Sequence, residues 1–296
     1  MRNATRYRVR HETVYTYGSN VVHSRQLLHL VPRPASYQRC LEHEIHISPG
    51  AFRRTQEVDA FGNPVTRVEF DGPHRGLEVT ADMEVEVYPR PGIPAADSIP
   101  WDELAARFSH TGQPPARTDL EAARFRHESP YVRLKRMFTD YAEDCFPAGR
   151  PLLLCVQELM TKLHTELKYA PGATTIATPV TEVLEIRRGV CQDFAHLMIA
   201  CLRSRGLPAR YVSGYVRSLV GSAASHAWLA VYIPPFDWVE IDPTNDTFVS
   251  TDHIAVAWGR DFGDVSPLRG IILGGGRHSL TVDVRVEGVS QAPPVS

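Results

Sequence analysis

Alternation of apolar and polar residues dominates the early part of the chain. Leu77, Val79, Ala81, Met83, Val85 and Val87 alternate with Glu78, Thr80, Asp82, Glu84, Glu86 and Tyr88. A period of two puts each set on its own face, so the run predicts a long strand with one buried and one wet face. Leu41, His43, Ile45 and Ile47 repeat the pattern against Glu42, Glu44 and His46, and Phe61-Gly62-Asn63-Pro64 supplies a turn between two such runs. Residues 5–88 therefore read as an antiparallel, sandwich-like β region. Pro89-Arg90-Pro91-Gly92-Ile93-Pro94, with Pro100 after it, marks the end of that region. Proline neither donates to a ladder nor continues a helix.

Beyond this boundary the period changes. Ser129-Pro130 has the form of an N-cap followed by proline at the first helical position. Leu152, Val156, Leu159, Met160, Leu163 and Leu167 form a helical stripe that ends at Tyr169-Ala170-Pro171-Gly172. Thr181 to Arg188 reads as a short helix stopped by Gly189. Cys191 opens the next helix, whose apolar positions are Phe194, Leu197, Met198, Cys201 and Leu202, and Gly206-Leu207-Pro208 closes it. Strand-like runs follow at 209–216, 225–233 and 238–242, divided by Pro234-Pro235-Phe236-Asp237 and followed by the turn Asp242-Pro243-Thr244-Asn245. A last alternation sets Leu280, Val282, Val284 and Val286 against Thr281, Asp283, Arg285 and Glu287. Strands, then helices, then strands predict an α+β protein. The expected division is 1–95 for the β-rich region, 96–290 for the second domain and 291–296 for a disordered tail.

Composition narrows the class. The 296 residues are 43% hydrophobic and 22% charged, ordinary for a globular chain. A net charge of −2 argues against nucleic acid or an anionic membrane held by bulk charge. No apolar run approaches a membrane span, and the N-terminus lacks a signal-peptide core, so a cytoplasmic location is expected. The cysteines are Cys40, Cys145, Cys155, Cys191 and Cys201, with no close-spaced pair, and no H-E-x-x-H occurs among the histidines. Reduced thiols fit better than a disulfide framework, and neither a metal nor another cofactor is expected. Oligomeric state is not readable from the sequence.

The candidate chemistry centres on Cys191. A thiol at a helix mouth faces unpaired N–H groups and the positive end of the macrodipole, both of which favour the reactive thiolate. A small buried apolar residue is the competing reading. A nucleophile needs a base, and the base needs a group to orient it. His196 lies about 140° around the helix from Cys191, and Asp193 about 200°, so neither shares its face. His226 opens an apolar strand, and Asp242 ends the next one, where neighbouring strands place side chains within hydrogen-bond reach. A satisfied core histidine and a turn-capping aspartate would give the same residues.

Gly-Val-Cys191-Gln-Asp-Phe-Ala-His, Ser-His226-Ala-Trp and Trp-Val-Glu-Ile-Asp242-Pro-Thr-Asn, in that order, resemble the transglutaminase-like core shared by bacterial cysteine proteases and animal transglutaminases. Tyr7-Arg-Val-Arg-His-Glu-Thr-Val-Tyr-Thr-Tyr17 resembles the β-rich region that precedes this core in bacterial members, as do Gly259–Gly270 and Gly274-Gly275-Gly276 the late segments of that subgroup. The resemblance implies a papain-like arrangement, with the nucleophile's helix packed on an antiparallel sheet. It implies Cys191 as nucleophile, His226 as general base and acid, and Asp242 as orienter. The expected activity is amide hydrolysis through a thioester on a peptide or protein substrate. The alternatives are transfer to a primary amine and a non-catalytic binding module. In related cores an upstream side chain assists the oxyanion; Tyr169 is the candidate for it here, and Gln192, next to the nucleophile, is a further donor candidate. Trp228 shares the strand face of His226 and is a candidate cleft wall or core residue. Gly274-Gly275-Gly276 lacks the ending and setting of a phosphate loop and reads as a connector. No acidic calcium loop of the kind that animal transglutaminases require is evident.

Overall fold

The computed structural model describes residues 4–108, 117–217 and 225–289. The tail expected at 291–296 lies outside them. Two strands, β1 (Thr5–Leu28) and β4 (Pro64–Val87), form the spine of an antiparallel N-terminal sheet, pairing from Thr5 with Val87 to Leu28 with Thr66. Leu77, Val79, Ala81, Met83, Val85 and Val87 are all buried, as their alternation predicts. β2 (Gln38–Ser48) pairs with the C-terminal half of β4 and β3 (Arg53–Val58) with its N-terminal half. The turn between β3 and β4 is an Asx turn in which Asp59 Oδ1 accepts from the N–H groups of Phe61 (2.8 Å) and Asn63 (2.9 Å). The sandwich-like region is thus a single sheet of two half-sheets that share two long strands. Register shifts in β1 between Thr16 and His23 separate the halves.

The other edge of β1 is completed from the far end of the chain. Residues 7–17 of β1 pair with β13 (His278–Gly288), and residues 21–28 pair with β12 (Leu268–Gly274). This corrects the expected 96–290 boundary, because 268–288 belong to the N-terminal sheet. Alternation identifies a strand but not its partner, and the partner here lies more than two hundred residues away in sequence. The apolar face of β13 is buried only in part. Val284 is buried, but Leu280 and Val282 are exposed, as an edge strand permits. Gly274, Gly275 and Gly276 join β12 to β13, all with positive φ (98°, 84° and 61°).

Between these strands lies the second unit. Its helices are α1 (Trp101–Arg107), α2 (Arg117–Ala123), α3 (Arg136–Tyr141), α4 (Leu152–Glu166), α5 (Val180–Ile186) and α6 (Cys191–Ser204). Lys168–Tyr169 (β5) and Arg188–Gly189 (β6) form a short parallel pair. The main sheet follows as β7 (Ala209–Val216), β8 (His226–Tyr232), β9 (Trp238–Asp242), β10 (Thr247–Phe248) and β11 (His253–Gly259), in the order β10-β9-β8-β7-β11, and α7 (Phe262–Val265) comes after it. α6 packs against β7 and β8 on one side and against α3, α4 and α5 on others, which is why almost all of it is buried. Ser129-Pro130 does not cap a helix. Ser129 and Val132 close a turn, and α3 begins only at Arg136. The tertiary cause is the buried Arg203, which donates to Ser129 Oγ (3.3 Å) and His127 O (3.1 Å).

The two units meet along the outer edge of β11. Gln38 donates to Ala255 O (2.6 Å) and accepts from Ala255 N (2.9 Å). Asn63 does the same for Trp258, at 2.9 Å each way. Two side-chain amides thus stand in for a neighbouring strand and satisfy backbone groups beside a β-bulge between Ala255 and Ala257. Buried Glu240 of β9 accepts from Arg90 (3.2 Å), Trp228 (2.9 Å) and the hydroxyl of Tyr37, tying the boundary loop and the N-terminal region to the same sheet. Among the described residues, no helix is long and apolar enough to cross a membrane.

Candidate active site

Cys191 is the first residue of α6. Hydrogen bonding of the helix begins at Asp193 N and Phe194 N, which both donate to Val190 O (2.8 and 3.2 Å). The N–H groups of Cys191 and Gln192 stand ahead of that ladder, where a helix has donors to offer. The entry is held by Asp193, whose Oδ2 accepts from Val190 N (2.8 Å) and Thr174 Oγ1 (2.6 Å). Burial raises the Asp193 pKa against the lowering effect of these two bonds. Gly189 is needed for this contact rather than to stop α5. A β-carbon there would lie 2.5 Å from Asp193 Oδ2, while α5 is ended by Arg187 in the left-handed conformation (φ 54°).

His196 is equally occupied. Its Nε2 accepts from Phe262 N (3.1 Å), and its ring stacks on Tyr131. Burial, helped by Arg203, pushes its pKa down to about 3, so it is neutral. Asp193 and His196 are therefore each engaged in hydrogen bonds that hold the fold.

His226 opens β8 and Asp242 ends β9, both buried. The register pairs Leu229 with Ile241. Continued, it sets Trp228 opposite Asp242, with His226 two residues further on the same face. The bond crosses this diagonal, His226 Nε2 to Asp242 Oδ2 at 2.8 Å. Asp242 Oδ2 also accepts from Asn245 Nδ2 (2.7 Å) and His253 Nε2 (3.2 Å), and Oδ1 from the N–H groups of Thr244 (3.0 Å) and Asn245 (3.4 Å). Burial alone would raise the Asp242 pKa. The bonds from His226 and His253 outweigh it and hold the carboxyl well below its usual range. For His226 burial lowers the pKa, but the bond to Asp242 and the interaction with Cys191 raise it further, so the net shift is upward.

The second ring nitrogen of His226 completes the arrangement. Among the described residues, Nδ1 is buried with no hydrogen-bond partner at ordinary distance, and Cys191 acts on the ring in addition to Asp242. The interaction with Cys191 that raises the ring's pKa brings the thiol, the imidazole and the Asp242 carboxylate into one neighbourhood. Cys191 keeps 9% of its surface exposed. Cys145, Cys155 and Cys201 are buried, with pKa values raised chiefly by burial. Cys40 is half-buried in the N-terminal sheet, and its pKa is likewise raised by burial. Among the described residues, no group of three or more His, Cys, Asp or Glu side chains is placed to hold a metal ion.

Comparison with known proteins follows the same division. Residues 7–86 match the bacterial transglutaminase-like N-terminal region, and residues 140–243 match the transglutaminase-like superfamily. An uncharacterized protein of Mycobacterium tuberculosis is 39% identical over 308 residues, covering 96% of this chain and 92% of its own length. The chain belongs to the bacterial transglutaminase-like family. An uncharacterized protein of Mycobacterium leprae is 33% identical over 95% of this chain and 98% of its own. A protein-glutamine gamma-glutamyltransferase of Pseudomonas aeruginosa is 31% identical over 104 residues, 30% of this chain and 16% of the enzyme. Among solved structures, a candidate cysteine protease from Cytophaga hutchinsonii aligns with a TM-score of 0.77 and 19% identity, over 98% of this chain and 92% of that one. It shares the fold.

The remaining predicted residues fall around this transglutaminase-like core unevenly. Tyr169 is half-buried on β5, and its pKa is raised by burial and then by Cys191, so it stands within electrostatic reach of the sulfur. Gln192 is half-exposed on the first turn of α6. Trp228 is not a cleft wall. It is fully buried, with its Nε1 bound to Glu240, which places it in the core. His253 and Asn245 are the Asp242 partners that sequence reasoning did not assign. A signal for His253 existed: like His226, it opens an apolar strand.

Proposed function

We propose that this protein is a cysteine-dependent amide-bond hydrolase that acts on peptide or isopeptide bonds through a thioester. The observation that supports this most is His226, whose Nε2 is bound to Asp242, whose buried Nδ1 has no partner among the described residues and whose ring Cys191 also acts on. In the first half-reaction Cys191 sulfur bonds to the substrate carbonyl carbon, and its proton goes to His226. The oxyanion is held by the N–H groups at the start of α6, with the Tyr169 hydroxyl or the Gln192 amide as the second donor. Collapse breaks the carbon–nitrogen bond, His226 gives the proton to the leaving amine, and the thioester remains. Water then attacks with His226 as base and releases the carboxylate and the Cys191 thiol.

Transfer to a primary amine is the second reading, favoured by the match of the core to the Pseudomonas aeruginosa glutamyltransferase. Hydrolysis is preferred because water reaches any thioester, whereas transfer requires a further subsite that favours an amine over water. Iodoacetamide titration tests the nucleophile. Cys40 is the more exposed thiol, so alkylation of Cys191 ahead of Cys40, lost in His226→Ala, separates activation from exposure. An inert Cys191 would instead indicate a binding module. Adding a primary amine to a peptide-release assay separates the two enzymes: incorporation at modest amine concentration would make transfer the activity.

A further inference from the structure

The second histidine on Asp242 has no part in the chemistry above. His253 is fully buried at the start of β11, and its Nε2 lies 3.2 Å from Asp242 Oδ2, the same oxygen that His226 uses. Its other nitrogen, Nδ1, accepts from Ser250 N (3.3 Å). A backbone N–H can only donate, so Nδ1 carries no proton, and Nε2 must carry the one proton of a neutral ring. The Trp228 ring packs edge-on against His253 at 5.3 Å and fixes its plane.

We propose that His253 is a positioning residue, a neutral donor that shares Asp242 Oδ2 with His226 and so limits how tightly His226 holds its proton. This rests on the catalytic reading above. A buried carboxylate with His226 as its one ionisable partner would make imidazolium too stable to release a proton to a leaving amine. A second donor on the same oxygen draws part of that negative charge away without adding a positive charge. The carboxylate stays ionised and oriented, and its pull on His226 is moderated. Among the described residues, the titratable groups around the pair are Asp242 from β9, Cys191 from α6 and His253 from β11. Tyr169 from β5 and Tyr211 from β7 lie around the sulfur, both with raised pKa values and so neutral near pH 7.

The test is a pH titration of the full chain labelled with nitrogen-15 in its histidine rings, with signals assigned through His226→Gln and His253→Gln. In the unsubstituted protein, the His253 ring is expected as the Nε2–H tautomer, with a signal that moves as His226 titrates. In His253→Leu, His226 is expected to bind its proton at least about threefold more tightly, the scale of one lost donor. His253→Gln, whose amide reaches the Nε2 position, returns it toward the original value. An Nδ1–H tautomer, a protonated His253, or a His226 titration unmoved by His253→Leu overturns the proposal. If His253→Leu does not fold, the tautomer and coupled shift in the unsubstituted protein decide the matter. Cys191 alkylation that ignores His226 would instead defeat the catalytic reading, while the ring measurements still decide whether His253 moderates His226.

Discussion

At the scale of single residues, the site depends on a few close approaches and shared protons. Gly189→Ala would drive a methyl group into Asp193, which holds Val190 and Thr174. A loss of about 1–3 kcal/mol in urea unfolding is expected, with slower Cys191 alkylation as the helix entry shifts. The His226–Asp242 pair sets a pH window. Asp242 has a depressed pKa, so its contribution to stability is present above the unfolded carboxylate value of about 3.9 and is lost as pH falls through the folded value. His226 has a raised pKa, so its contribution is full below about 6.5 and is lost as pH rises through the folded value. Urea midpoints across pH should therefore fall on both sides of a plateau. In Asp242→Asn the alkaline decline should largely vanish, together with the selective alkylation of Cys191; an unchanged alkaline limb would show that another group governs it.

At the scale of elements, two histidines that the sequence places in successive motifs, one on α6 and one on β8, do different chemistry. His196 is a buried neutral acceptor for Phe262 N, whereas His226, on a strand thirty residues later, is bound to Asp242 and acted on by Cys191. His196→Ala should cost about 1–3 kcal/mol by leaving that N–H unpaired in the interior. The His226-dependent alkylation of Cys191 should persist in the folded variant, and its disappearance would mean that His196 acts in the chemistry. Helical angles turn His196 away from the face of Cys191 because 100° per residue is a local property of the chain. The strand partners of Asp242 were only half legible. His226 and Asp242 could be matched through one hairpin, whereas His253 reaches the same carboxylate from β11, on the far side of β7 in the sheet, and no local rule predicts that approach.

At the scale of the whole molecule, the chain closes on itself. β12 and β13 return to β1, so residues 4–88 alone would leave one edge of a 24-residue strand bare. That fragment is expected to be aggregated or unfolded by circular dichroism, and joining 268–289 to it by a flexible linker should restore a cooperative transition. Gln38→Ala would strip both amide partners from Ala255, for an expected loss of about 1–3 kcal/mol in thermal or urea unfolding. Local pattern carries the strands, the helical stripes, the cysteine at a helix mouth and the hairpin that brings His226 to Asp242, because periodicity and helix geometry act over a few residues. Tertiary structure decided which sheet the last strands join, why Gly189 has no side chain, that Trp228 is buried on Glu240 and that His253 shares Asp242. Each of these depends on contacts between segments distant in sequence, where burial and the need to satisfy buried polar groups select among partners that a local pattern leaves equivalent.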